Sequence, residues 1–307
     1  MSLHLVALTS GEALGIPIAL TGSVFLALGA QFQHRAVNKV DANTAIEDKA
    51  GLNIRQLFSL LKRPSWLLGT TMITLAIACQ LWSLAIAPLT VVQPLGVAGL
   101  VITSIVNSRV SRKPLDRASI RAILYCVGGV GVFVTIASLT TNVAPIGNDQ
   151  LIVVLIILGV VLTIAALTFA FFRKRFGTLF YIVGAGILFG FVATLAEVDI
   201  ARIETIVRAG VGLHAGDVLT IVCFLGLILA GLLGSYFVQT AYSSGPPDLV
   251  VAGLTVIDPI VGVTIGITVL GEATTAPVWA AIVFVLAGLL AIFGVYELSK
   301  HHPQIRR

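Results

Sequence analysis

Seven stretches of this chain contain no Asp, Glu, Lys or Arg: 13–34, 65–108, 122–148, 151–172, 176–196, 218–247 and 273–296. Each exceeds the roughly 20 helical residues that cross a hydrocarbon core at about 1.5 Å per residue. In lipid only helices and closed barrels satisfy their own backbone groups. Strand alternation is absent from these stretches, so helices are expected. Composition agrees. The 307 residues are 57% hydrophobic and 11% charged, where soluble domains carry about a quarter charged residues.

The 65–108 run is too long for one crossing, and Pro88 offers a break within it. Nine spans result, at about 14–34, 66–87, 90–108, 119–139, 150–172, 178–197, 217–241, 249–270 and 277–297. The expected fold is all-α, a polytopic helical membrane bundle. Nine crossings put segments 35–64, 109–121, 173–175 and the C-terminal tail on one side, and these hold every Lys and Arg except Arg202 and Arg208. The positive-inside rule makes that side cytoplasmic, with the N-terminus outside and the C-terminus inside. The first 12 residues have no Lys or Arg, so span one reads as an uncleaved helix rather than a signal peptide. The net charge of +5 is accounted for by this asymmetry and implies no nucleic acid.

Segment 35–64 mixes charge with Ile54, Leu57, Phe58, Leu60 and Leu61, a pattern that fits either a short surface helix or a solvated connector. The outer segment 198–216 spaces Asp199 from Arg202 and Glu204 from Arg208 as on an exposed, weakly ion-paired helix. A faint repeat at an offset of 159 residues relates Gln80 to Gln239, Pro88 to Pro247, Val91-Val92 to Val250-Val251, Tyr125 to Phe284 and Gly129 to Gly288. Spans 66–87 and 217–241 run in opposite directions, as in an inverted repeat. The expected units are 1–140 with four spans, 150–298 with five, and a cytoplasmic tail at 299–307.

Asp258 stands near the middle of the apolar run Leu249–Gly271, beside Pro259. Nine residues past Leu249 correspond to about 14 Å of rise, near the midplane. An ionised carboxylate there is costly in lipid and ordinarily faces a bundle interior or a wet cavity. Asp258 is therefore the leading candidate for binding substrate or a coupling proton. The structural alternative is a polar group serving backbone donors around a break at Pro259. Gln80, Gln93 and Gln239 must also find partners within spans, as cavity lining or interhelical ties. Tyr236 shares a helix face with Gln239.

Gln31, Gln33 and His34 end span one, where interfacial polar residues are ordinary. Glu197 and Asp199 read as an outer cap or solvated loop, and Glu272 as interfacial. Gly186 with Gly190, and Gly262 with Gly266, have the four-residue spacing of close helix packing. Cys79, Cys126 and Cys223 lie within spans without CxxC or His-ligand spacing and read as buried thiols. No metal ligands are assigned, and no cofactor is implied.

The stretch Leu84-Ala85-Ile86-Ala87-Pro88-Leu89-Thr90-Val91-Val92-Gln93-Pro94-Leu95-Gly96, its counterpart Leu254-Thr255-Val256-Ile257-Asp258-Pro259-Ile260 and the closing Leu270-Gly271-Glu272 carry a resemblance. Together they resemble the drug/metabolite transporter superfamily, whose members are built from two EamA-like repeats. Within it, Ala87-Pro88 with Pro94-Leu95-Gly96 and nine spans look most like the NIPA-type magnesium transporters. Two positions depart from those patterns. The span-two acid of the magnesium group is replaced by the local sequence Ile77-Ala78-Cys79-Gln80, and Gly271-Glu272 maps onto Arg112-Lys113 in the first half.

The resemblance implies a secondary transporter, or permease, of a small solute by alternating access, with proton coupling through Asp258 as an option. A Mg²⁺ or other divalent-cation carrier and a non-transporting membrane scaffold are the alternatives. No Walker A sequence and no nucleophile–base set is present, so an enzyme is not expected. The expected setting is the cell membrane (plasma or inner), multi-pass. Expected partners are membrane lipid, a small-molecule or ion substrate, and a second copy of the chain as a candidate homodimer.

Overall fold

The computed structural model describes residues 10–42, 54–86, 98–112, 114–140, 147–172, 177–209, 218–271 and 277–301. Among them the chain is helical, with no strand. The helices are α1 (Ser10–Ala42), α2 (Ile54–Leu60), α3 (Pro64–Ile86), α4 (Ala98–Ser111), α5 (Arg117–Thr140), α6 (Asn148–Phe172), α7 (Thr178–Ala209), α8 (Val218–Ser244), α9 (Pro247–Ile265) and α10 (Val278–His301). A π-helical turn, Gly266–Leu270, extends α9.

Among the described residues eight helices are long and apolar enough to cross a membrane, every one except α2 and α4. Eight of the nine expected spans therefore have a helix. Of the remaining one, 90–108, the structure describes the second part as α4, a shorter apolar helix, and 90–97 lie outside the described residues. Outward-facing apolar side chains are numerous, among them Ile156, Ile164 and Phe171 on α6, Leu225 and Leu232 on α8, and Val278, Val285 and Leu289 on α10. A belt of this extent far exceeds the patches a soluble monomer exposes. Its natural solvent is lipid, and the chain is read as a multi-pass membrane protein.

Between helices in lipid, burial supplies little net drive, and close packing of small residues takes over. α5 and α10 show this. A Cβ on Gly129 would come within 2.6–2.8 Å of Ala287 and Ala291, and one on Gly294 within 2.6–2.8 Å of Ala122 and Cys126. Two aromatic pairs flank the contact, Tyr125 with Phe293 at 5.7 Å and Phe133 with Phe284 at 5.3 Å. α1 and α3 cross through Gly29 and Gly69 in the same way. α7 packs against both α8 and α9, and α1 against both α3 and α4.

Four expectations need correction. Span one does not end at 34: α1 runs to Ala42, with Ala36, Val37 and Val40 buried, so its polar turn lies inside the packing. Asp199 is not in a solvated loop, because α7 continues to Ala209 and buries it. Pro259 does not break α9, which stays helical to Ile265. Proline removes one N–H, and transmembrane helices tolerate that loss where neighbours hold the helix. Finally, Gly262 makes no close contact: among the described residues no heavy atom lies within 4 Å of where its Cβ would be. The 35–64 segment does contain a short helix, α2, with Leu60 turned inward and Phe58 and Leu61 exposed.

Candidate functional site

α9 joins two different environments along one helix. Its start is dictated locally: Gly245 ends α8, Pro246 is extended, and Pro247 opens the helix where a missing N–H costs nothing. Asp248 then falls in the first turn, where free N–H groups and the helix dipole favour a carboxylate. Every residue from Pro247 to Gly253 is buried, around the whole circumference of the helix. Every residue from Ile257 to Val263 is only partly buried.

Asp258 lies in that second, looser part. Its neighbours fix α9 firmly on one side: Ile257 seats on Gly186 of α7 and Val261 on Gly190, where an added Cβ would meet either side chain at 2.6 Å. Ile260 points toward Gly288 of α10. At 100° per residue Asp258 projects from neither of these contacts, and Gly262 follows it on the same face one turn later. Among the described residues that face is open at Gly262, and Asp258 is half-buried. The carboxylate thus stands less than a quarter of the way round α9 from its α7 seat, on a side where the described residues leave room at Gly262.

The other candidates do not gather around Asp258. Gln239 is buried on α8, close to the end where α8 turns into α9. Its Nε2 donates to Gln33 Oε1 at 3.0 Å, and its Oε1 accepts from Trp66 Nε1 at 3.2 Å. Gln33 Nε2 in turn donates to Thr70 Oγ1 at 3.1 Å. Gln239 is therefore a tie between α8, α1 and α3. Tyr236 is half-buried and packs on Phe237, with ring centroids 5.9 Å apart. Gln80 is half-buried on α3, about 21 Å of rise beyond Trp66. Gln93 and Glu272 lie outside the described residues, as do Pro88 and Pro94.

The polar turn of α1, expected to be an ordinary interface, is buried and bonded. Gln31 Nε2 donates to Asn107 Oδ1 at 3.1 Å, and Asn107 Nδ2 donates to Asp248 Oδ1 at 2.8 Å. His34 Nδ1 meets the Tyr242 carbonyl at 2.9 Å, and Asn38 Nδ2 meets His34 Nε2 at 3.0 Å. A carbonyl only accepts and an amide nitrogen only donates, so an imidazole with its proton on Nδ1 satisfies both contacts. Gln31, Gln33, Asn107, Gln239 and Asp248 are all buried, Asp248 completely.

Asn107, Asp248, Trp66 and Thr70 were not among the sequence candidates. Asn107 and Asp248 each sit at the very edge of a charge-free run, where a polar residue looks like a boundary marker. The usable signal was the order Gly245-Pro246-Pro247-Asp248, which announces a helix start with an acid in its first turn.

No known family model matches this chain, and no solved structure matches it. An uncharacterized protein of Corynebacterium glutamicum is similar, with 27% identity over 288 residues that cover 94% of this chain and 95% of the relative.

Proposed function

We propose that this protein is a secondary transporter of the cell membrane that moves a small solute by alternating access, with Asp258 as the carboxylate that binds substrate or a coupling proton. One observation carries the reading: a half-buried acid stands mid-span on a face of α9 that is open at Gly262 among the described residues, while the adjoining face is tightly seated on α7. Intramembrane acids are costly and ordinarily mark a transport pathway. The resemblance of the Asp258-Pro259 and Ala87-Pro88 stretches to the drug/metabolite superfamily points the same way.

The packing supports an inverted repeat of four and five spans. The 159-residue offset relates α1 to α7, α3 to α8, α4 to α9 and α5 to α10, leaving α6 without a counterpart. In each half the first helix packs on the next two of its set, α1 on α3 and α4, α7 on α8 and α9. α5 and α10 pack on each other, and their aromatic pairs nearly exchange under the offset. Tyr125 maps to Phe284, and Phe293 maps to Val134, the neighbour of Phe133. A pseudo-two-fold axis between α5 and α10 accounts for this, and such axes place substrate sites at the repeat interface.

The test begins with thermal shifts of purified protein against metabolites, drug-like compounds and divalent cations at two pH values, since a ligand that binds the folded state raises its stability. The stabilising compound is then followed in proteoliposomes. Asp258→Asn is expected to abolish accumulation against a gradient while the variant remains folded. Unchanged accumulation kinetics overturn the assignment. Stabilisation by Mg²⁺ alone would replace the solute with a divalent cation.

A further inference from the structure

The two halves of the molecule are tied to each other by side-chain hydrogen bonds concentrated at one end. Asn107 of the first half bonds Asp248 of the second, Gln33 and Trp66 of the first bond Gln239 of the second, and His34 of the first meets the Tyr242 carbonyl of the second. This end also carries Arg35, Lys39, Lys62, Arg63 and Arg109. Just above the ties, α9 is buried on all sides from Pro247 to Gly253, and its partly exposed stretch with Asp258 begins beyond. Asp248 and Asp258 are about 15 Å apart along the helix. The donors and acceptors interlock as pairs, so separating the halves here strips several buried polar groups of their partners at once.

We propose that this cluster is the inner gate of the transporter: Gln33, Trp66, Asn107, Gln239 and Asp248 hold the basic end shut, and the structure is the state closed at that end. The proposal rests on the transport reading, because a gate needs a pathway, but its geometry is independent of the substrate. Opening toward the basic side requires the Asn107–Asp248 and Gln33–Gln239–Trp66 bonds to break together. The side of this stretch that bears Asp248 would then become wet.

The test places a reporter in that sealed stretch. Ala252→Cys, one turn beyond Asp248 on the same face, in a protein whose three native cysteines are replaced by alanine, is exposed to a membrane-impermeant maleimide from the basic side in vesicles of defined orientation. With the ties intact, labelling is expected to be slow. Gln239→Leu or Asn107→Ala is expected to raise the rate about tenfold, the population shift that loss of two or three intramembrane hydrogen bonds produces. Rates unchanged in both variants overturn the gate.

A second measurement keeps the matter decidable if those variants fold poorly. Gln33→Cys and Gln239→Cys together place two thiols on either side of the present amide contact, each set back by its shorter side chain. A short bifunctional thiol reagent with a cleavable link is expected to join them, and the joined protein to lose transport until the link is cleaved. Failure to join the two thiols, or full transport with the link in place, also overturns the gate. If labelling rises as expected while Asp258→Asn leaves transport unchanged, the gate stands and the role of Asp258 falls. The reverse pattern removes the gate alone.

Discussion

Two glycines on α9 separate the firm and the open sides of the helix. A Cβ on Gly253 would overlap the Ile182 side chain of α7, whereas Gly262 has no described heavy atom within 4 Å. Gly253→Ala should therefore force α9 off its seat and destabilise the protein by about 1–3 kcal/mol, the usual range for overpacking. Gly262→Ala should be neutral or slightly stabilising, because alanine is the better helix former by up to about 1 kcal/mol. Thermal unfolding in detergent compares the two, and equal losses would contradict the packing described for α9. The position of Asp258 inside a spanning helix was legible in the sequence because charge is so rare within these spans. The partners of Gln239, Gln31 and His34 were not. In a helix apolar on every side, periodicity no longer says which face meets which neighbour, so contacts between polar residues must be read from the fold.

At the level of helices, α8 is held to α1 and α3 through one amide. Gln239→Leu removes both of its bonds and leaves Gln33 Oε1 and Trp66 Nε1 without these partners. Intramembrane hydrogen bonds contribute about 0.6 kcal/mol on average, so a loss of about 1–2 kcal/mol is expected. A double-mutant cycle with Gln33→Leu checks the assignment. The second substitution should cost less in the Gln239→Leu background than alone, and strict additivity would mean that the two amides do not interact. Helix positions were the most readable part of the chain, since the penalty for charge in lipid marks span edges directly. The reading slipped where a helix carries charge past the apolar run, as α1 does with Arg35 and Lys39. Long basic side chains keep their charged ends in water while the helix continues, and α1 packs through that turn.

For the whole molecule, the basic segments predict sidedness. Reporters fused at the C-terminus should lie in the cytoplasm, and tags in the Arg112–Asp116 connection should be reached from the same side. A tag at the N-terminus should be reached from outside. Two termini on one side would mean an even number of crossings and would dissolve the pseudo-symmetric pairing of α5 with α10. The overall design we propose is a bundle sealed at its basic end, with an acid held halfway through on the looser part of α9. Its central claim is that the face of α9 bearing Asp258 meets water. Maleimide labelling of Gly262→Cys tests this most directly, with Leu286→Cys on the lipid-facing side of α10 as control, in a background free of native cysteines. The account predicts that position 262 reacts with an impermeant reagent applied opposite the basic end while position 286 does not; a position 262 as inert as position 286 from both sides would contradict it.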